Sequence, residues 1–343
     1  MFRAAPARYD SMPYRRCGTS GLELSAISLG LWQNFGDGGA FATQREIVLT
    51  AFDCGVTHFD LANNYGPPPG AAEEVFGRLL ARDLAPYRDE LIISTKAGYR
   101  MWPGPYGEWG SKKYLRASLD QSLRRLGLEY VDIFYSHRFD AHTELAETLE
   151  ALKLALDSGK STYVGISSYT AQQTAEAVAL AGEMGFRLLI HQPSYSMFNR
   201  WIEAGSPSLL DQAAADGLGV IVFSPLAQGL LTNRYLSGVP DDARASRDGS
   251  FKKGLITPEV VGRIGALNDI AAQRGQSLAQ MAIQWVLRDP RVTSALVGAR
   301  TPAQLLDSLG ALVGPAFTAA ELARIDSLAT DLEGVNIWKA RTR

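Results

Sequence analysis

Short apolar runs alternate with helix-period segments eight times along this 343-residue chain, and that alternation limits the fold more than any other feature. The runs are 27–32 (ISLGLW), 57–60 (THFD), 91–96 (LIISTK), 131–137 (VDIFYSH), 163–167 (YVGIS), 188–192 (LLIHQ), 220–224 (VIVFS) and 294–298 (SALVG). Most are apolar throughout, the pattern of strands buried on both faces in a parallel sheet. Helical patterns separate them at 43–53, 72–80, 111–126, 143–156, 171–183, 208–215, 259–274 and 278–288. Two more, at 302–309 and 319–328, close the chain. Thr43 with Glu46 three residues later predicts a capping box at the first of these helices. Strand–helix alternation argues for βα units, and eight units predict an α/β fold, a (β/α)8 TIM barrel. An open doubly wound sheet would place a G-x-G-x-x-G turn after its first strand. The LWQNFGDGGAF stretch at that place does not match. The length alone would permit two domains or one large barrel. No linker divides the chain, so one barrel domain over 1–343, with its core at about 14–328, is expected. The longest stretch without a helix or strand pattern is 227–257, long enough to be a lid or other functional loop.

Lys and Arg number 34 against 36 Asp and Glu, a net charge of −2. Nucleic-acid binders usually carry a basic excess, so that partner class is set aside. No apolar run nears the roughly 18 residues of a membrane span. The basic N-terminus lacks the apolar core of a signal peptide. Cys17 and Cys54 form neither a C-x-x-C pair nor a disulfide framework. A cytoplasmic location is the expectation. The four histidines, His58, His137, His142 and His191, form no H-x-x-x-H pair, so no metal site is predicted.

Reactive groups of such barrels sit at the carboxyl ends of the strands. Collected there are Asp60 with the nearby Tyr65, then Lys96, His137, Ser167, Ser168, Gln192, Ser224, Gly298 and Arg300. Asp60, Tyr65, Lys96 and His137 form a coherent set for delivering a proton to an oxygen. A free tyrosine has a pKa near 10, and a neighbouring ammonium is expected to lower it. Asp60 would keep Lys96 charged, and His137 could polarise a carbonyl. Carbonyl reduction needs this set together with a cofactor that carries the hydride.

The stretch Phe59-Asp60-Leu61-Ala62-Asn63-Asn64-Tyr65-Gly66 resembles the hallmark of the aldo-keto reductases. ISTK (93–96), DIFYSH (132–137), GISSY (165–169), HQPSYSMFNR (191–200), SPLAQGLLTNRY (224–235) and VGARTPAQL (297–305) are similar to its further motifs, in order. The likeness is greatest to the branch similar to potassium-channel β subunits. NNYGPPPGAAEE and KAGYRMWPGPYG look like members that reduce L-glyceraldehyde 3-phosphate and methylglyoxal.

The resemblance implies a catalytic set of Asp60, Tyr65, Lys96 and His137, with Tyr65 as general acid. It also implies NADPH/NADP+ lying across the barrel mouth. Trp32, Asp60, Ser167, Ser168 and Gln192 would meet its nicotinamide end. Phe223, Ser224, Pro225, Leu226, Ala227 and Gln228 would wrap the pyrophosphate. Arg234, Arg244, Gly298, Arg300, Gln304, Asp307 and Ser308 would meet the adenosine end. Asp307-Ser308 stands where the family often has Glu-Asn. Trp32, Tyr65, His137, Trp102 and Arg138 are the expected substrate contacts, with Arg138 drawing a substrate phosphate. The channel-subunit branch usually carries Asn at position 137. His137 therefore favours an enzyme reducing small aldehydes over a slow-turnover, NADPH-binding redox-sensing subunit. Relatives of this branch imply a homo-oligomer, a tetramer or octamer.

Overall fold

The structure is a computed structural model that describes residues 2–236, 256–332 and 334. Two short strands, β1 (Tyr14–Arg16) and β2 (Glu23–Ser25), pair antiparallel ahead of the barrel. Eight parallel strands then close on themselves: β3 (Ile27–Gly30), β4 (His58–Asp60), β5 (Ile92–Ala97), β6 (Val131–Ser136), β7 (Ser161–Ser167), β8 (Ile190–Gln192), β9 (Gly219–Phe223) and β10 (Ser294–Val297). β10 pairs with both β9 and β3, which closes the ring. This is the expected (β/α)8 barrel.

The outer face of the strands packs against α1 (Phe41–Asp53), α2 (Ala71–Leu79), α3 (Lys112–Leu126), α4 (Leu145–Asp157), α5 (Ala171–Glu183) and α6 (Leu209–Ala215). α7 (Pro258–Gln273), α8 (Leu278–Val286), α9 (Pro302–Leu309) and α10 (Ala319–Leu328) complete the layer. Side-chain oxygens set several helix starts. Thr170 with Gln173, Ser208 with Asp211, Ser277 with Gln280 and Thr318 with Glu321 make reciprocal capping boxes. The expected box at Thr43 is not formed. α1 begins at Phe41, with Ala40 as an N-cap that makes no side-chain hydrogen bond. Tertiary anchoring decides this start. Gln44 donates to the carbonyls of Asn34 and Gly36, and the Phe41 ring lies 4.2 Å from the Arg78 guanidinium.

The β1–β2 hairpin was not legible as strands, because three-residue strands show no usable alternation. It seals the amino end of the barrel. Cys17 Sγ lies 3.8 Å from the Leu189 carbonyl, and Cys17 packs with Leu24, Leu189, Ile190 and Ile221. A Cβ on Gly219 would stand 2.2 Å from Cys17 Sγ, so the first residue of β9 must be glycine for the hairpin to dock.

The barrel interior is divided lengthwise. Ile133, Tyr135, Ile190, Ile221 and Leu296 fill one side. The other side, on β3, β4 and β5 with the first residue of the adjacent β10, carries Ser294, Ser28, His58, Asp60, Ser94 and Lys96, all fully buried. A second buried imidazole, His191, accepts from the Tyr169 N–H outside this row. Burial pushes His58 down to about 4 and His191 down to about 3. An unfolded imidazole titrates near 6.5. Below that pH the unfolded chain takes up protons that the folded one refuses, so stability is lost as the pH falls. At pH 5 each histidine should have cost about 2 kcal/mol, on 1.36 kcal/mol per pKa unit. Urea midpoints at pH 7 and pH 5 check this, and equal midpoints would contradict it.

Candidate active site

The carboxyl ends of the strands deliver the expected side chains to one mouth. Asp60 ends β4, Lys96 lies near the end of β5, and His137 follows β6 directly. Tyr65 comes from the loop after β4. Its backbone N–H donates to the Ala62 carbonyl, and its carbonyl accepts from Gly70 and Ala72, which folds the loop inward. Lys96 Nζ donates to Asp60 Oδ2 at 2.5 Å and to the Leu61 carbonyl at 2.6 Å. Asp60 Oδ1 accepts from Ser94 Oγ at 2.7 Å and from Gln192 Nε2 at 3.1 Å. Lys96 Nζ lies 5.0 Å from the centre of the Tyr65 ring. The Tyr65 ring is 5.9 Å from the His137 ring and 6.3 Å from Trp32.

Burial sets the electrostatics of this group. It pushes the Tyr65 phenol well above 10, and Asp60 and Tyr99 add to the rise. The expected lowering by Lys96 is therefore reversed in this state. The ammonium is directed at Asp60 and Leu61, and desolvation dominates the phenol. Burial lowers Lys96, with Asp60 working against the shift. Burial also holds His137 well below 6.5, helped by the charges of Lys96 and Arg138. The site thus keeps a phenol that retains its proton and a neutral imidazole. Both suit hydrogen-bond donation to an oxygen that is gaining negative charge.

Asp60, Tyr65 and His137 form the floor of a cleft of about 1010 Å³, with Lys96 behind Asp60. Trp32, Ser167, Ser168, Gln192, Phe223, Ser224, Pro225, Leu226 and Gln228 line it, and so do Arg234, Gly298, Arg300, Gln304, Asp307 and Ser308. Gln192 is nearly fully buried, and the backbone carbonyl of the same residue accepts from Ser167 Oγ at 2.8 Å. Ser168, Ser224 and Gln228 hold φ of 58°, 57° and 61°, the left-handed region. Such conformations cost about 1–3 kcal/mol each and cluster at ligand clamps.

Lys96 is wholly buried behind Asp60. Three expected contacts do not reach the cleft wall. Ala227, buried at φ 46°, is not part of the lining. Trp102 packs 5.3 Å from Tyr114 as part of the rim. Arg138 is bound elsewhere: it donates to Glu108 and to the Gly98 carbonyl, and stacks 3.6 Å from Trp109 and 4.2 Å from Tyr99. Its guanidinium thus sits behind Tyr99, outside the lining of the cleft, while its charge helps to lower His137. Arg244 and most of the 227–257 stretch lie outside the described residues.

The cleft also uses residues that the strand-end reasoning missed. Tyr99 stands 4.7 Å from His137, edge to face, and lines the wall with Asn34 and Asn64. Its position three residues past Lys96, in the loop after β5, was the available signal. Ser277, the N-cap of α8, and Ala279 in its first turn lie where no strand end would point. There Ser277 Oγ and Gln280 Nε2 both donate to Asp307, which fixes that carboxylate. Among the described residues no group of three or more metal-ligating side chains occurs, and no helix is long and apolar enough to cross a membrane.

Residues 26–330 match the family model of the Aldo/keto reductase family. The chain is 57% identical over 341 residues to L-glyceraldehyde 3-phosphate reductase of Escherichia coli K12, covering 98% of each chain. It is 34% identical over 324 residues to a probable voltage-gated potassium channel subunit beta of Arabidopsis thaliana, and 33% identical to one of Oryza sativa subsp. japonica. Both alignments cover 92% of this chain and 96% of the relative.

Proposed function

The chain belongs to the aldo/keto reductase family, and from that premise we propose that it reduces small aldehydes, L-glyceraldehyde 3-phosphate and methylglyoxal among them, with NADPH. The observation that carries this reading is the buried Asp60–Lys96 pair beside Tyr65 and His137 on the floor of the cleft. The near full-length likeness to a reductase of L-glyceraldehyde 3-phosphate supports the substrate class.

The donor set fits an extended cofactor that bears phosphates. Gln192, Ser167 and Ser168 offer an amide and two hydroxyls at the floor, for the nicotinamide end. The strained turn from Ser224 to Gln228 runs along the wall, for the pyrophosphate. Arg234 and Arg300 bring positive charge at the outer part, with Gln304, Asp307 and Ser308, for the adenosine and its 2′-phosphate. Bound there, NADPH supplies the hydride that no side chain can.

The protein's own residues handle the proton and the charge. Tyr65, kept protonated by burial, donates its phenolic proton to the aldehyde oxygen. His137, kept neutral, offers an N–H to the same oxygen and orients the carbonyl. Lys96 stabilises the tyrosinate left behind, and Asp60 keeps Lys96 in place. Trp32 and Tyr99 wall the carbonyl from water.

Purified protein should consume NADPH with L-glyceraldehyde 3-phosphate and with methylglyoxal, and NADH less readily. Arg300→Ala should raise KM for NADPH about 10–100-fold, the worth of a charge-assisted bond of about 1.5–3 kcal/mol, and leave KM for NADH within about twofold. Initial rates with both cofactors check this. No turnover of any three-carbon aldehyde would remove the substrate reading.

A further inference from the structure

The polar side of the barrel interior is one continuous row of polar side chains within hydrogen-bonding distance. Ser94 Oγ donates to Asp60 Oδ1 at 2.7 Å, and His58 Nε2 lies 2.9 Å from Ser94 Oγ. His58 Nδ1 is 3.0 Å from Ser28 Oγ, which is 2.7 Å from Ser294 Oγ. Ser294 in turn donates to the Ser25 carbonyl at 2.8 Å, near the sealed end. Both ends of the row, a carboxylate and a carbonyl, can only accept. Three hydroxyls and one neutral imidazole carry four protons for five links. Ser94 has spent its proton on Asp60, so Nε2 must be the donor of the His58–Ser94 link. Nδ1 then accepts from Ser28. The one link left without a proton falls among Ser28, Ser294 and Ser25, at the end remote from Asp60.

We infer that His58 is a positioning residue, which through Ser94 fixes the orientation in which Asp60 holds Lys96. It touches no substrate, and its effect rests on the reductase reading given above. Loosening Asp60 weakens the contact that keeps the Lys96 proton, so Lys96 releases that proton at lower pH. The groups that face Lys96 are Asp60 from β4, Glu73 from α2, Tyr65 from the loop after β4, Tyr135 from β6 and His137 just beyond it. Those whose charges reach His58 are Asp60 and Lys96.

The test combines kinetics with a measurement that needs no turnover. His58→Leu should lower kcat about 10-fold or more, as small misplacements at such sites do, with KM and cofactor Kd within about twofold. The alkaline limb of its kcat–pH profile should move down by about half a unit or more. Ser94→Ala, a smaller change that keeps the test open should His58→Leu not fold, should do the same. Combined, the two should cost little more than either alone. His58→Gln, whose amide can still donate to Ser94, should restore most of kcat. Folded variants with the wild-type kcat and limb overturn the inference. So does a loss of kcat with an unmoved limb and no rescue by Gln, which marks mere packing. Independently, 15N NMR of His58 at pH 7 should show a neutral ring protonated at Nε2. An Nδ1–H ring or an imidazolium overturns the proton assignment. A wild-type protein without reductase activity counts against the functional reading, and the NMR result then decides His58 on its own.

Discussion

Replacing Tyr65 with phenylalanine should lower kcat with L-glyceraldehyde 3-phosphate by about 10²–10⁴-fold, the range expected for loss of a positioned general acid. The ring would still pack between Trp32 and His137, at 6.3 Å and 5.9 Å. Only the hydroxyl is lost, so the fold and the cofactor Kd should hold within about twofold. Steady-state rates and a cofactor titration on the same preparation separate the two effects. A folded Tyr65→Phe enzyme with undiminished kcat would remove the residue from the proton-delivery role.

Lys96→Met should be damaging to the fold as well as to the chemistry. Lys96 and Asp60 are both wholly excluded from solvent. Removing one partner strands the other as an uncompensated buried charge, which typically costs about 3–5 kcal/mol. The loss should appear as a lower urea midpoint, with activity abolished. Combining Lys96→Met with Asp60→Asn should recover much of the stability and none of the activity, because neutral partners of similar volume no longer demand hydration. A single Lys96→Met variant as stable as the parent would mean that the pair is not desolvated.

Much of this site is legible in the sequence. Strand ends of a barrel converge on one mouth, so Asp60, Lys96, His137, Ser167 and Gln192 could be placed together from their positions in the apolar runs. The family motifs then carried the strained Ser224–Gln228 turn and the Arg300–Ser308 stretch into the same cleft, where most of those residues line the wall. What failed was whatever tertiary packing decides. Arg138 directly follows a cleft residue, yet Glu108, Trp109 and Tyr99 claim its guanidinium. The Thr43–Glu46 pattern is a valid cap in isolation, but Gln44 and Phe41 anchor the helix to an earlier start. The Tyr65 phenol illustrates the same limit. A sequence shows that a lysine is near a tyrosine, but not how deeply both are buried, and depth set the direction of the shift.

The lengthwise division of the barrel interior also governs how freely the protein can vary. On the apolar side, exchanges among Ile133, Ile190, Ile221 and Leu296 that conserve volume should cost under about 1.5 kcal/mol. On the polar side, a substitution that removes the hydroxyl of Ser28, Ser94 or Ser294 leaves a buried neighbour without its partner, at about 1–3 kcal/mol each. Neutral drift and engineering for new substrates therefore have room at these four apolar positions. Along the row, Ser28, His58, Ser94 and Ser294 can change only as matched sets.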